Sequence, residues 1–190
     1  QASARRLANV NRILADAQHL ETLSLAPASI DFIYARWVLC FVKDPEAIVR
    51  GVARILKPGG RFVVQDYFHY ESMTIAPKRP AFTKVIDAVA RSWRDRGGDP
   101  DIVGRLPAMF SAHGLAMDDL HVNRRLARPG TTMWHWPDSF WKSFLPRLVA
   151  LGHLDAADEQ RFEAGWAEAS ADPASFMLLP PVFDAIASKR

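Results

Sequence analysis

The chain has 190 residues, 49% of them hydrophobic and 24% charged, with a formal net charge of +3. That is enough for one globular domain with its own core. No stretch reaches the roughly 20 apolar residues of a membrane span, and no basic–apolar–cleavage pattern marks a secretory leader. The basic residues are scattered apart from short clusters such as Arg124-Arg125, whereas nucleic-acid binding calls for a concentrated basic stripe. The single cysteine, Cys40, lies in the apolar run Trp37-Val38-Leu39-Cys40-Phe41-Val42. One thiol builds neither an internal disulfide nor a zinc cluster, so a cytoplasmic setting and no metal are expected. Apolar neighbours mark Cys40 as a core residue rather than a nucleophile.

In chain order, residues 3–10 carry helical spacing, and Arg12-Ile13-Leu14-Ala15 reads as a short strand ending at Asp16. Residues 29–35, Ser-Ile-Asp-Phe-Ile-Tyr-Ala, form an aromatic and β-branched run, which predicts a buried strand. Asp44-Pro45-Glu46 opens a helix, with Asp44 as cap and Pro45 in the first position. Ile48, Val52 and Ile55 continue it at helical spacing until Lys57-Pro58-Gly59-Gly60 stops it. A second strand covers 61–67, and strand, helix and strand with short joins imply a parallel βαβ unit. Phe82, Val85, Ile86, Val89 and Trp93 form one stripe of a helix over 82–94, which Gly97-Gly98-Asp99-Pro100 breaks. A helix over 101–113, a strand around 116–126 and helices over 138–151 and 155–169 follow. The run from Val182 reads as a closing strand.

The stretch IDFIYARWVLCFVKDPEAIVRGVARILKPGGRFVVQDY resembles the centre of class I S-adenosylmethionine-dependent methyltransferases, especially their quinone-biosynthesis-like and small-molecule branches. The matching features are an acidic residue opening the fourth strand, an apolar run, Asp-Pro, a helix ending in Leu-Lys-Pro-Gly-Gly, and the fifth strand. The resemblance is strong for 12–70 and looser for 71–190. It implies an α/β, Rossmann-like methyltransferase fold, with a seven-stranded sheet whose last strand is antiparallel and a helical insert between the fifth and sixth strands. The family's Gly-rich loop after its first strand, and the acidic end of its second, have no counterpart here. Residues 1–190 are therefore expected to be one domain whose first two strands are missing. Its parts are a core βαβ portion at 1–70, a helical insert with acceptor-side elements at 71–175, and a closing strand at 176–190.

The resemblance makes Asp16 an acceptor for the adenine amino group of S-adenosylmethionine, with Ala17 beside it; a turn-capping Asp is the alternative. Ala35, Arg36 and Trp37 end the fourth strand, where ligands bind in open α/β sheets. They are candidate cofactor residues, with Arg36 also able to pair with a carboxylate and Trp37 able to serve as packing. His69 is the candidate general base, since its ordinary pKa is near neutrality. Tyr67, Tyr70, Trp134 and Trp136 are candidate walls of an acceptor pocket, with core packing the alternative for the tryptophans. The expected activity is methyl transfer from S-adenosylmethionine, leaving S-adenosylhomocysteine, to an O, N or C nucleophile of a small organic acceptor. No membrane or nucleic-acid partner is expected, and a homodimer stays open. The rival reading is a catalytically inactive methyltransferase-like module acting in assembly or dimerisation.

Overall fold

The computed structural model describes residues 9–190. The helical spacing read over 3–10 lies outside them, apart from its last two residues, which are turn and coil. Residues 30–67 fold as a βαβ unit: β1 (Ile30–Arg36) runs parallel to β2 (Leu56–Tyr67), and α1 (Pro45–Ile55) crosses between them. The Asp44 carboxylate accepts from Ala47 N at 2.9 Å, satisfying one of the free N–H groups that open a helix. Ile48, Val49 and Val52 are buried on the inner face of α1.

The helix stop does double duty. Leu56 already pairs with Ile30, and the register slips before Phe32 meets Arg61. The Lys-Pro-Gly-Gly segment is thus the irregular start of β2 rather than a loop ahead of it, and β2 begins earlier than position 61. A Cβ on Gly60 would lie 2.9 Å from the Lys57 carbonyl oxygen and 3.1 Å from that of Asp31. Glycine is needed there so that β2 can close against β1.

The main sheet has the order β1-β2-β7-β4, with β7 (Val182–Lys189) antiparallel to both β2 and β4 (Leu115–Asn123). Side chains alternate between its faces. Ile33, Ala35, Phe62, Val64, Ala185 and Ala187 share the core with Val52 of α1 and Phe110 of α3 (Leu106–Ala112). Arg36, Gln65 and Asp184 pair across three neighbouring strands and share the opposite face. Among the described residues the free edge of β1 carries no strand. Residues 12–15, expected as a strand, are irregular chain, with Ile13 62% exposed and Leu14 fully so. With no ladder partner, their backbone groups gain nothing from strand geometry.

A second layer caps the carboxyl edge of the sheet. It contains α2 (Pro80–Arg94), α4 (Thr132–Ala150), α5 (Ala156–Ala171) and a small sheet of β3 (Thr74–Ala76), β6 (Phe176–Leu178) and β5 (Leu126–Ala127), in the order β3-β6-β5. The five residues of the predicted α2 stripe are all buried. The cap comes from two stretches of chain, one before β4 and one between β4 and β7. The single insert expected between fifth and sixth strands is therefore divided, and 176–178 belongs to the small sheet rather than to the closing strand.

Other boundaries moved for local reasons. The helix expected over 101–113 is a short 3-10 turn, Ile102–Arg105, followed by α3 with Pro107 in its first turn, because proline lacks the N–H that would continue one helix through it. The strand expected over 116–126 breaks at Arg124-Arg125 and resumes as β5 in the other sheet. Helix α4 starts at Thr132 although Pro137 and Pro146 lie inside it. Burial of its Trp134 and Trp141 against α2 and α5 outweighs the penalty that each proline imposes. No helix among the described residues is long and apolar enough to cross a membrane.

Replacing Gly60 by alanine is expected to destabilise the fold by about 1–3 kcal/mol, since two backbone carbonyls must give way. Urea denaturation of Gly60→Ala measures the loss, and an unchanged midpoint would contradict the close approach of β2 to β1.

Candidate functional site

The site begins where the chain leaves β1. Trp37 adopts a left-handed backbone, φ 52°, and its N–H donates to the Gln65 carbonyl at 3.0 Å. Such a conformation costs a bulky L-residue about 1–2 kcal/mol. Two rings pack parallel to it: it stacks on Trp136 of α4 at 5.7 Å between centroids and on Tyr67 of β2 at 6.0 Å. The Arg36 guanidinium lies 4.1 Å from the Trp37 ring centroid, within cation–π range.

Behind this turn is the buried carboxylate of Asp66. Its Oδ2 accepts from Cys40 N at 3.2 Å and its Oδ1 from Tyr67 N at 3.0 Å. Burial pushes the Asp66 carboxyl above its ordinary pKa, and these N–H bonds pull only part of the way back. Burial also raises the Cys40 thiol and the Tyr67 and Tyr70 phenols. All three stay protonated at neutral pH, so none is an ionised nucleophile or base there.

Two adjoining cavities open beside Trp37. The larger, about 450 Å³, has a mixed lining, with Arg36, Gln65, Asn123, Arg125 and Asp184 as its charged and amide groups. Tyr34 Oη donates to Gln65 Oε1 at 3.2 Å, Gln65 Nε2 to Asp184 Oδ1 at 2.5 Å, and Asn123 Nδ2 to Asp184 Oδ2 at 2.8 Å. This chain of bonds fixes the side chains of all four strands at the cavity floor. The smaller cavity, about 200 Å³, is walled by aromatic rings, among them Tyr67, Tyr70, Trp93, Phe140 and Trp141. Trp37, Trp136, Leu179 and Pro180 line both.

The structure brings together Arg36, Trp37, Tyr67, Tyr70 and Trp136 from the sequence-derived set. It does not bring Trp134 there. Trp134 is two residues from Trp136 on a helix with 3.6 residues per turn, so the two face different ways. Its ring stacks on Trp166 at 4.5 Å and its Nε1 donates to Ser170 Oγ at 3.1 Å. Ala35 points into the core, because alternation gives the cavity face to Arg36. His69 is exposed and lines neither cavity; its backbone N–H donates to Asp101 Oδ1 at 2.7 Å. Asp16 is exposed and caps a 3-10 turn, accepting from Gln18 N at 2.9 Å. Ala17 is half-buried against the core, and Gln18 Oε1 accepts from Asp44 N at 2.9 Å, tying that turn to the start of α1.

Sequence reasoning missed Gln65, Asp66, Asn123, Arg125, Trp93 and Asp184 as site residues. The available signal was a polar residue interrupting an apolar strand, as in Val63-Val64-Gln65-Asp66 and Val182-Phe183-Asp184-Ala185. Among the described residues no group of three or more His, Cys, Asp or Glu is placed to hold a metal ion.

A mixed sheet with a cleft at its carboxyl edge and a helical cap defines an α/β domain of the open-sheet kind, the layout in which ligands bind at that edge. Residues 1–64 match the methyltransferase-domain family. Methyltransferase Str2 of Strobilurus tenacellus is 26% identical over 146 residues, covering 77% of this chain and 52% of that protein. The uncharacterized methyltransferase YcgJ of Bacillus subtilis is 30% identical over 100 residues, covering 53% and 37%, respectively. The crystal structure of YcgJ superposes with a TM-score of 0.52 at 22% identity, covering 90% of this chain and 68% of that one. That of a Bacillus halodurans protein assigned as a methyltransferase gives 0.58 at 12% identity, covering 96% and 78%. The chain is thus similar to methyltransferases in sequence over its first third and in fold over most of its length. It spans about half the length of Str2 and less of YcgJ.

The raised pKa of Asp66 has a signed consequence. The native state holds this proton more tightly than the unfolded chain does. The contribution of Asp66 is therefore fully present below the unfolded carboxylate pKa, near 3.9, and is lost as pH rises through the higher native value. Urea denaturation across that window is expected to show wild-type stability falling relative to Asp66→Asn as pH rises. A difference that is flat or rises with pH would contradict the burial of an ionisable group there.

Proposed function

We propose that this chain forms the acceptor-side part of an enzyme that transfers a methyl group from S-adenosylmethionine to a small organic molecule. The observation that carries the reading is the pair of cavities at the carboxyl edge of β1 and β2, divided by the Trp37–Trp136 stack and flanked by the cap. Together they suit a small molecule rather than a macromolecular surface.

The residues present fit the cofactor's adenine side. The Asp16 carboxylate is exposed: Oδ1 accepts from Gln18 N at 2.9 Å and Nε2 at 3.3 Å, while Oδ2 accepts only from Nε2 at 3.5 Å, leaving room to accept from an amino group. The half-buried Ala17 adjoins it. When bound, S-adenosylmethionine supplies a methyl group already activated by its sulfonium charge. The protein's contribution is placement and exclusion of water, with the aromatic walls holding the acceptor against the reacting edge. The buried tyrosines, protonated at neutral pH, act as walls and hydrogen-bond donors. No base is required of the described residues when the acceptor loses its own proton to solvent.

The free edge of β1, with Phe32 57% and Tyr34 51% exposed, supports a place for the strands that would carry the Gly-rich loop in a longer polypeptide. An exposed strand edge with apolar side chains is otherwise a liability for aggregation.

Calorimetric titration of the full-length protein with S-adenosylhomocysteine tests the reading, and absence of binding would overturn it. Asp16→Ala is expected to weaken that binding about tenfold, the worth of one hydrogen bond to a charged group. Residues 1–190 alone are expected to bind it weakly or not measurably.

A further inference from the structure

We propose that the acceptor is a flat, largely apolar molecule bearing an anionic group, its ring system in the aromatic cavity and its anion between Arg36 and Arg125. This deepens the methyltransferase reading and rests on it for the word acceptor. The binding site itself stands on its own geometry.

The charge pattern of the larger cavity carries the anionic half. Arg36 and Arg125 both line it, and neither side chain forms a salt bridge among the described residues. Arginines near a protein's own carboxylates ordinarily find them. Here Arg94 engages Glu71 and Asp101, Arg79 engages Glu168, and Arg105 engages Asp99. The one carboxylate on the cavity wall, Asp184, is turned to amides, with Gln65 Nε2 on one oxygen and Asn123 Nδ2 on the other. The cavity therefore keeps two guanidinium groups whose donors are not committed to its own acid. A guanidinium matches a carboxylate or phosphate with two parallel N–H donors. Arg36 is also held in place, its guanidinium over the Trp37 ring.

The smaller cavity carries the apolar half. Its walls are mostly aromatic and otherwise apolar, and it adjoins the larger cavity through the shared Trp37 and Trp136. Aromatic walls favour a stacked or edge-on ring. A neutral hydrocarbon leaves the arginines unused, and a cationic amine would face two positive groups.

The probes are 2-naphthylacetate and its neutral amide, which share shape and ring system and differ in charge. Their binding to the full-length protein is read from quenching of tryptophan fluorescence. The acid is expected to bind at least about tenfold more tightly than the amide at low salt, the range of a hydrogen bond to a charged group. The advantage is expected to shrink as salt screens the exposed arginines. Arg36→Gln and Arg125→Gln are each expected to reduce it, and Trp136→Ala to weaken both ligands alike. Because Arg36 also stacks on Trp37, Arg125→Gln decides the matter if Arg36→Gln fails to fold. Equal affinity for acid and amide, an advantage that survives Arg125→Gln, or no binding of either probe would overturn the inference. A parallel titration with S-adenosylhomocysteine separates the two claims. Anion selectivity without that binding sinks the methyltransferase reading and leaves the site. That binding without selectivity sinks only the present inference.

Discussion

The carboxyl edge of the sheet depends on one turn, the left-handed step at Trp37 that carries the chain out of β1. Its backbone cost, about 1–2 kcal/mol, is met by groups from other elements. The Gln65 carbonyl takes its N–H, Tyr67 and Trp136 stack on its ring, and Arg36 lies over it. Stacked aromatic pairs contribute roughly 0.5–1.5 kcal/mol each beyond their buried area. Below, the Asp66 carboxylate ties the Cys40 backbone of the same connection to β2. A strained residue held by so many independent contacts fixes the position of the wall between the cavities.

That wall joins pieces of chain far apart in sequence. Trp37 follows β1, Tyr67 ends β2, Trp136 lies on α4, and Leu179 and Pro180 lead into β7. The antiparallel β7, inserted between β2 and β4, puts Asp184 beside Gln65 and opposite the β4 end that supplies Asn123. The polar network across the four strands follows from that strand order. Division of the cap around β4 has the same effect: α2 supplies Trp93 and α4 supplies Trp136 and Trp141 to one aromatic cavity.

Much of the fold was legible because local signals agreed with one another. Asp44-Pro45, the Ile48–Val52–Ile55 spacing and Lys-Pro-Gly-Gly each state one boundary of the βαβ unit, and each boundary uses short-range chemistry. The α2 stripe was legible for the same reason. The three short strands of the small sheet were not, since β3, β5 and β6 are two or three residues long and carry no periodicity to read. Residues 12–15 show the converse failure, an apolar run without a partner strand. In α4, expected from 138, the helix begins at Thr132, and tertiary burial of Trp134 and Trp141 accounts for the earlier start.

The site divides along the same line. By itself the sequence determined the likeness to methyltransferases, the crossover unit and the strand end at which Arg36 and Trp37 stand, because those follow from neighbours within a few residues. Only the tertiary structure decided which of the aromatic residues face a cavity. Helix phase separates Trp136 from Trp134, and strand alternation separates Arg36 from Ala35. It also decided that Gln65, Asn123 and Asp184 form one network with Arg36 and Arg125 beside it. Such juxtapositions depend on strand order and register, which link residues more than a hundred positions apart (Gln65 and Asp184 are separated by 119) and leave no mark in local spacing.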